Sequence, residues 1–84
     1  MSTMTKFFFH IRDDSRLIED GRGLNLPDLD SALVEARHAA REIGARFAGN
    51  GRALMNKEFE ICDGAGRELA VLPFSKALRA RRNG

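Results

Sequence analysis

Tryptophan and tyrosine are missing from this chain, and its six aromatic residues are all phenylalanine. Cysteine occurs once, at Cys62, so no disulfide can form within the chain. One cysteine and two histidines do not make a structural zinc set, and no metal or cofactor is expected. No apolar run approaches the roughly 20 residues that a membrane span needs. The opening MSTMTKFFFHIRDD lacks a sustained apolar stretch and meets charge at once, so it is not read as a signal peptide. A single free thiol makes the cytoplasm the expected compartment.

What remains is one domain of 84 residues. A chain of this size buries only about 60–65% of its unfolded surface, so its core is thin. Without a disulfide or a metal, close packing or self-association is the expected supplement. The charge is unevenly spread. Residues 1–75 carry ten Lys/Arg against twelve Asp/Glu, whereas KALRARRNG at 76–84 carries four cations and no acid. A mildly acidic body argues against a broad nucleic-acid-binding face.

The pattern along the chain is hairpin, helix, hairpin. Lys6–Arg12, KFFFHIR, reads as a first strand, and Asp13-Asp14-Ser15 as a turn. Arg16–Asp20 reads as a second strand. Gly21 and Gly23 break the pattern, and Leu24 and Leu26 lie in extended backbone before Pro27. Asp28 is placed to cap a helix whose stripe is Leu29, Leu33, Ala36, Ala40, Ile43 and Phe47. Gly49-Asn50-Gly51 should end it. Leu54 and Met55 fall in a connector. Glu58–Asp63 and Arg67–Leu72 then form strands around the turn Asp63–Gly66, with Pro73 closing the last strand. Ser75 would cap a short helix over Lys76–Arg82.

The expected fold is therefore α+β, a two-layer β-β-α-β-β with a mostly antiparallel four-stranded sheet and one long helix on one face. The expected divisions are a flexible N-terminus at 1–5, one domain at 6–75 and a basic tail at 76–84. Strand alternation allots Phe7, Phe9, Ile11, Phe59, Ile61, Leu69 and Val71 to the helix side. The other face receives Phe8, His10, Glu58, Glu60, Cys62, Ala70 and Leu72. Phe8, His10, Ala70 and Leu72 are thus the interface candidates, covered by a second copy or by Leu78 folding back.

FFFHIRDD, LIEDGRGLNLPDLDSALVEA and FEICDGAGRELAVLPFSKAL together resemble a family of short bacterial proteins with a domain of unknown function. Its pattern is an aromatic strand ending in His-(Leu/Ile)-Arg-Asp, a Leu-Pro-Asp-Leu helix entry, and Phe-Glu-Ile-x-Asp-x-x-Gly-Arg before a Val-Pro-Phe-like close. Phe9, His10, Arg12, Asp13, Gly23, Pro27, Asp28, Phe59, Ile61, Asp63, Gly66, Arg67, Pro73 and Phe74 occupy those places. The likeness covers about residues 6–78 and implies a bacterial origin and a shared fold, with no activity attached. The basic tail is a departure from the pattern.

His10 and Cys62 share the outward face, but a dyad needs contact and an orienting third group. Glu58 and Glu60 lie about 6.5–7 Å apart on a strand, near the separation of a glycosidase pair, but an open sheet lacks a sugar cleft. Asp13, Asp14 and Asp63 read as turn residues, since a cation site needs more oxygens. The glycine pairs Gly21/Gly23, Gly49/Gly51 and Gly64/Gly66 match no phosphate loop. His38 sits on the exposed helix flank, four residues from Glu42. Arg67 is expected to bond Asp63. No enzyme is expected. The expected function is an interaction module that self-associates, as a dimer, through the helix-free face or an edge strand. The second reading is weak nucleic-acid contact through Lys76, Arg79, Arg81 and Arg82, with no aromatic among them to stack bases.

Overall fold

The computed structural model describes residues 3–46 and 56–79. Among these, the chain runs β1 (Thr5–Asp13), β2 (Arg16–Ile18), β3 (Leu24–Leu26), α1 (Leu29–Arg46), β4 (Lys57–Cys62), β5 (Glu68–Pro73) and α2 (Phe74–Arg79). All strand pairs are antiparallel. The order across the sheet is β2-β1-β4-β5, with β3 also paired to β1. This is the expected α+β architecture with one strand more than expected, because Leu24–Leu26 joins the sheet. The expected end of the long helix at Gly49–Gly51 lies outside the described residues, as do Phe47, Leu54, Met55, Arg81 and Arg82.

β1 turns into β2 through Asp14 and Ser15, with Asp13 opposite Arg16. Asp14 has φ 59°, a left-handed conformation that Asp tolerates better than most side chains. β2 and β3 then form one interrupted strand along β1. Between the pairs Ile11/Ile18 and Phe7/Leu24, β1 advances through residues 8–10 while its neighbour passes through 19–23. The surplus is absorbed by a bulge containing Glu19, Asp20, Gly21, Arg22 and Gly23.

Asp28 caps α1 as expected. Its Oδ1 accepts the Ser31 N–H at 2.8 Å, and its carbonyl accepts the Ala32 N–H. The Ser31 N–H and hydroxyl hold the Asp28 carboxyl below its usual pKa. Ala32, Ala36 and Ala40 are fully buried along one side of α1, with Leu29, Leu33, Ala39 and Ile43 flanking them. Small residues on this stripe let another element approach closely, and that element is α2. Phe74 and Ala77 of α2 are fully buried between α1 and the β4–β5 half of the sheet.

Phe7, Phe59, Ile61 and Leu72 complete the core. Phe59 meets Phe9 edge-on at 6.2 Å and Phe74 at a tilt at 4.8 Å, geometries that aromatic rings favour. The packed body therefore extends past residue 75, to Ala77 and Leu78. The final helix begins at Phe74, so Ser75 lies inside it rather than capping it.

Candidate functional site

Both described helices lie on the Phe7–Phe9–Ile11 side of the sheet, as alternation requires. The other face presents Lys6, Phe8, His10 and Arg12 along β1, and Glu58, Glu60 and Cys62 along β4. Leu17, opposite Arg12 on β2, and Val71, opposite Glu60 on β5, lie at its two margins. They are 37% and 41% exposed.

Two of the four interface candidates do not belong to this face. Leu72 pairs with Phe59 and Ala70 with Ile61, so both point to the core side, where Leu72 is buried and Ala70 packs against the core. Val71, expected inside, points out. A register shift at Ile61/Cys62 is the cause: Ile61 faces Ala70, but Cys62 faces Glu68. Leu69 is the extra residue, packed like Ala70 against the core. One extra residue reverses the face of everything after it.

Phe8 and His10 do belong to the outer face. Their rings stack with centroids 6.3 Å apart. Leu78 does not cover Phe8, because it packs against the core on the opposite side. Gly23 does reach it. A Cβ on Gly23 would stand 3.0 Å from Phe8 Cε2 and 2.8 Å from Lys6 Cγ, and the residue has φ +71°. Only glycine fits this close, left-handed approach.

Asp20 holds the bulge in place. Its Oδ2 accepts the Phe9 N–H at 3.1 Å, an N–H on the β1 edge where the bulge interrupts the strand ladder. Its Oδ1 accepts the N–H groups of Arg22 and Gly23 at 3.0 and 3.2 Å. Its own N–H donates to His10 Nδ1 at 3.0 Å, which assigns His10 an acceptor at that nitrogen. Partial burial pulls the Asp20 carboxyl upward. The N–H groups of Phe9, Arg22 and Gly23 outweigh it, and the net shift is downward. Reading the sequence missed Asp20. The available signal was an acid just before Gly-x-Gly at the end of a strand.

Arg12 Nε donates to Glu60 Oε2 at 2.8 Å, so Glu60 pairs with a cation across the strands. Lys57 pairs with Asp13 at 3.1 Å. Arg67 meets Asp63 at 3.5 Å, as expected, and Asp63 Oδ1 also accepts the N–H groups of Ala65 and Arg67. Cys62 lies opposite Phe8, whereas His10 lies opposite Glu60 and is engaged by Asp20. No hydrogen bond joins Cys62 to His10 among the described residues. Burial, with Glu68, Glu60 and Asp63 nearby, pushes the Cys62 thiol up, against thiolate formation. Lys76 is exposed on α2, and Arg79 ends that helix. Among the described residues no cluster of three or more His, Cys, Asp or Glu could hold a metal ion. No described helix is long and apolar enough to cross a membrane.

Comparison with known proteins finds no match among curated proteins or solved structures. A family model does match, over residues 6–75, from the first strand through β5 and into the start of α2. That span carries the likeness seen in the sequence, and the chain belongs to the family described as a domain of unknown function, DUF6894.

Proposed function

We propose that this protein is a non-catalytic interaction module that self-associates through the helix-free face of its sheet. One observation carries the reading: Leu17 and Val71 are exposed on that face, on either side of the Phe8–His10 stack, while both described helices lie on the other. Exposed apolar side chains at the margins of an uncovered sheet face favour contact with another surface. The face is a better candidate than the β2–β3 edge. There, the bulge at residues 19–23 interrupts the strand along which an incoming strand would have to pair.

Light scattering across a concentration series tests this reading. The wild type should dimerise, and Leu17→Glu or Val71→Glu should return it to the monomer. Val34→Glu, at an exposed position on α1, should leave the dimer unchanged. A monomer at every concentration, or a dimer indifferent to Leu17 and Val71, would overturn the reading.

A further inference from the structure

We infer that two copies meet face to face about a two-fold axis that runs parallel to β1 and β4 and between them. The inference rests on the proposed self-association and adds its geometry. The helix-free face has two central rows of different chemistry. β1 contributes Lys6, Phe8, His10 and Arg12; β4 contributes Glu58, Glu60 and Cys62. The rows are in register, with Arg12 beside Glu58, His10 beside Glu60 and Phe8 beside Cys62.

A two-fold axis along the strands exchanges the rows and keeps each residue at its level. Arg12 of one copy then faces Glu58 of the other, His10 faces Glu60, and Phe8 faces Cys62. The margins exchange as well. Leu17 stands beside Arg12 on one flank, and Val71 beside Glu60 on the other. Each exposed apolar margin therefore lies near the opposite margin of the second copy, displaced by two residues, about 7 Å along the strands. Sheets packed this way keep their strand directions aligned, as face-to-face sheets commonly do.

The competing axis lies in the interface but across the strands. It would set β1 on β1 and β4 on β4, so that the Glu58 and Glu60 rows oppose each other. Like charges placed together suppress such an arrangement. Within one copy Arg12 pairs with Glu60, and Glu58 has no ion-pair partner among the described residues. Arg12 binds its own Glu60 through Nε and Nη2, which leaves Nη1 of the second copy's Arg12 to reach Glu58. Leu17 and Val71 are the exposed large apolar side chains that the described strands bring to this face, so the dimer should be weak and dilution-sensitive.

Chemical cross-linking in a Cys62→Ser background tests the geometry. Leu17→Cys chains are mixed with Val71→Cys chains and treated with a short bismaleimide. Each variant is also treated alone, after light scattering confirms that it still dimerises. The mixture should give severalfold more cross-linked dimer than either variant alone. Equal or greater cross-linking of Leu17→Cys to itself would overturn the axis. If Leu17→Glu and Val71→Glu dissolve the dimer but the mixture does not cross-link, the axis falls and the self-association stands. If the wild type is monomeric throughout, both fall together.

Discussion

Asp20 shows how much one carboxylate can organise in a small domain. Its two oxygens serve opposite sides: Oδ2 closes the β1 edge at Phe9, and Oδ1 holds the bulge at Arg22 and Gly23. An amide has only one acceptor oxygen, so Asp20→Asn can satisfy one side and must turn its NH₂ toward donors on the other. We expect Asp20→Asn to lower the unfolding free energy by about 1–2 kcal/mol, and Asp20→Ala by at least as much, measured by urea denaturation at pH 7. The pH dependence has a definite sign. The folded-state pKa of Asp20 is lowered, so its contribution is complete above the unfolded value of about 3.9 and is lost as the pH falls through the folded value. Wild type and Asp20→Asn should therefore converge in stability in acid. A gap that widens there would contradict the assignment. Gly23 offers a parallel test. Gly23→Ala meets Lys6 and Phe8 in a left-handed conformation and should cost roughly 1–2 kcal/mol. Gly21→Ala, with open space around its Cβ, should stay within about 0.5 kcal/mol of wild type.

At the scale of the element, β5 decides what each face displays. Its sequence ELAVLP offers apolar residues at both parities, so alternation alone cannot orient it. The extra residue Leu69 sets the orientation, and it places Leu72 over Phe59. Leu72→Ala should cost about 2–4 kcal/mol, because it empties a packed site. Val71→Ala should cost less than about 1 kcal/mol by the same measurement, since Val71 is largely in solvent. The reverse ranking would restore the uninterrupted register, with Ala70 and Leu72 facing out.

For the molecule as a whole, α2 is part of the core rather than an appendage. Phe74 and Ala77 fill the space between the alanine stripe of α1 and the β4–β5 half of the sheet. A domain this small has a total stability of only about 5 kcal/mol. Phe74→Ala removes a fully buried ring at a cost of about 3–5 kcal/mol, comparable to that total. The variant should lose its cooperative thermal transition in calorimetry. A sharp transition close to the wild-type midpoint would show that α2 is dispensable. The same anchoring bears on Lys76. It sits on a packed helix, so any contact it makes is presented from a fixed position rather than from a free tail.

Much of this architecture was already legible along the chain. Asp28 before a three-four repeat of apolar residues specifies a capped helix, because the pattern repeats with the helical period. Phe7, Phe9 and Ile11 on one side of β1, with Phe8 and His10 on the other, follow from the pleat alone. Asp63, placed before glycines, specifies its turn and its bonds to Ala65 and Arg67 through local hydrogen bonding. Three features were decided only in the folded molecule. The facing of Ala70, Val71 and Leu72 depends on a register shift between two strands. The role of Asp20 depends on an N–H at Phe9, distant in sequence and brought near by the interrupted β2–β3 strand. The burial of Phe74 and Ala77 depends on the alanines of α1 leaving room for a second helix. Local pattern determines which elements form. Which side chains they bury is settled by contacts between residues far apart in the chain, where the energy of packing is gained.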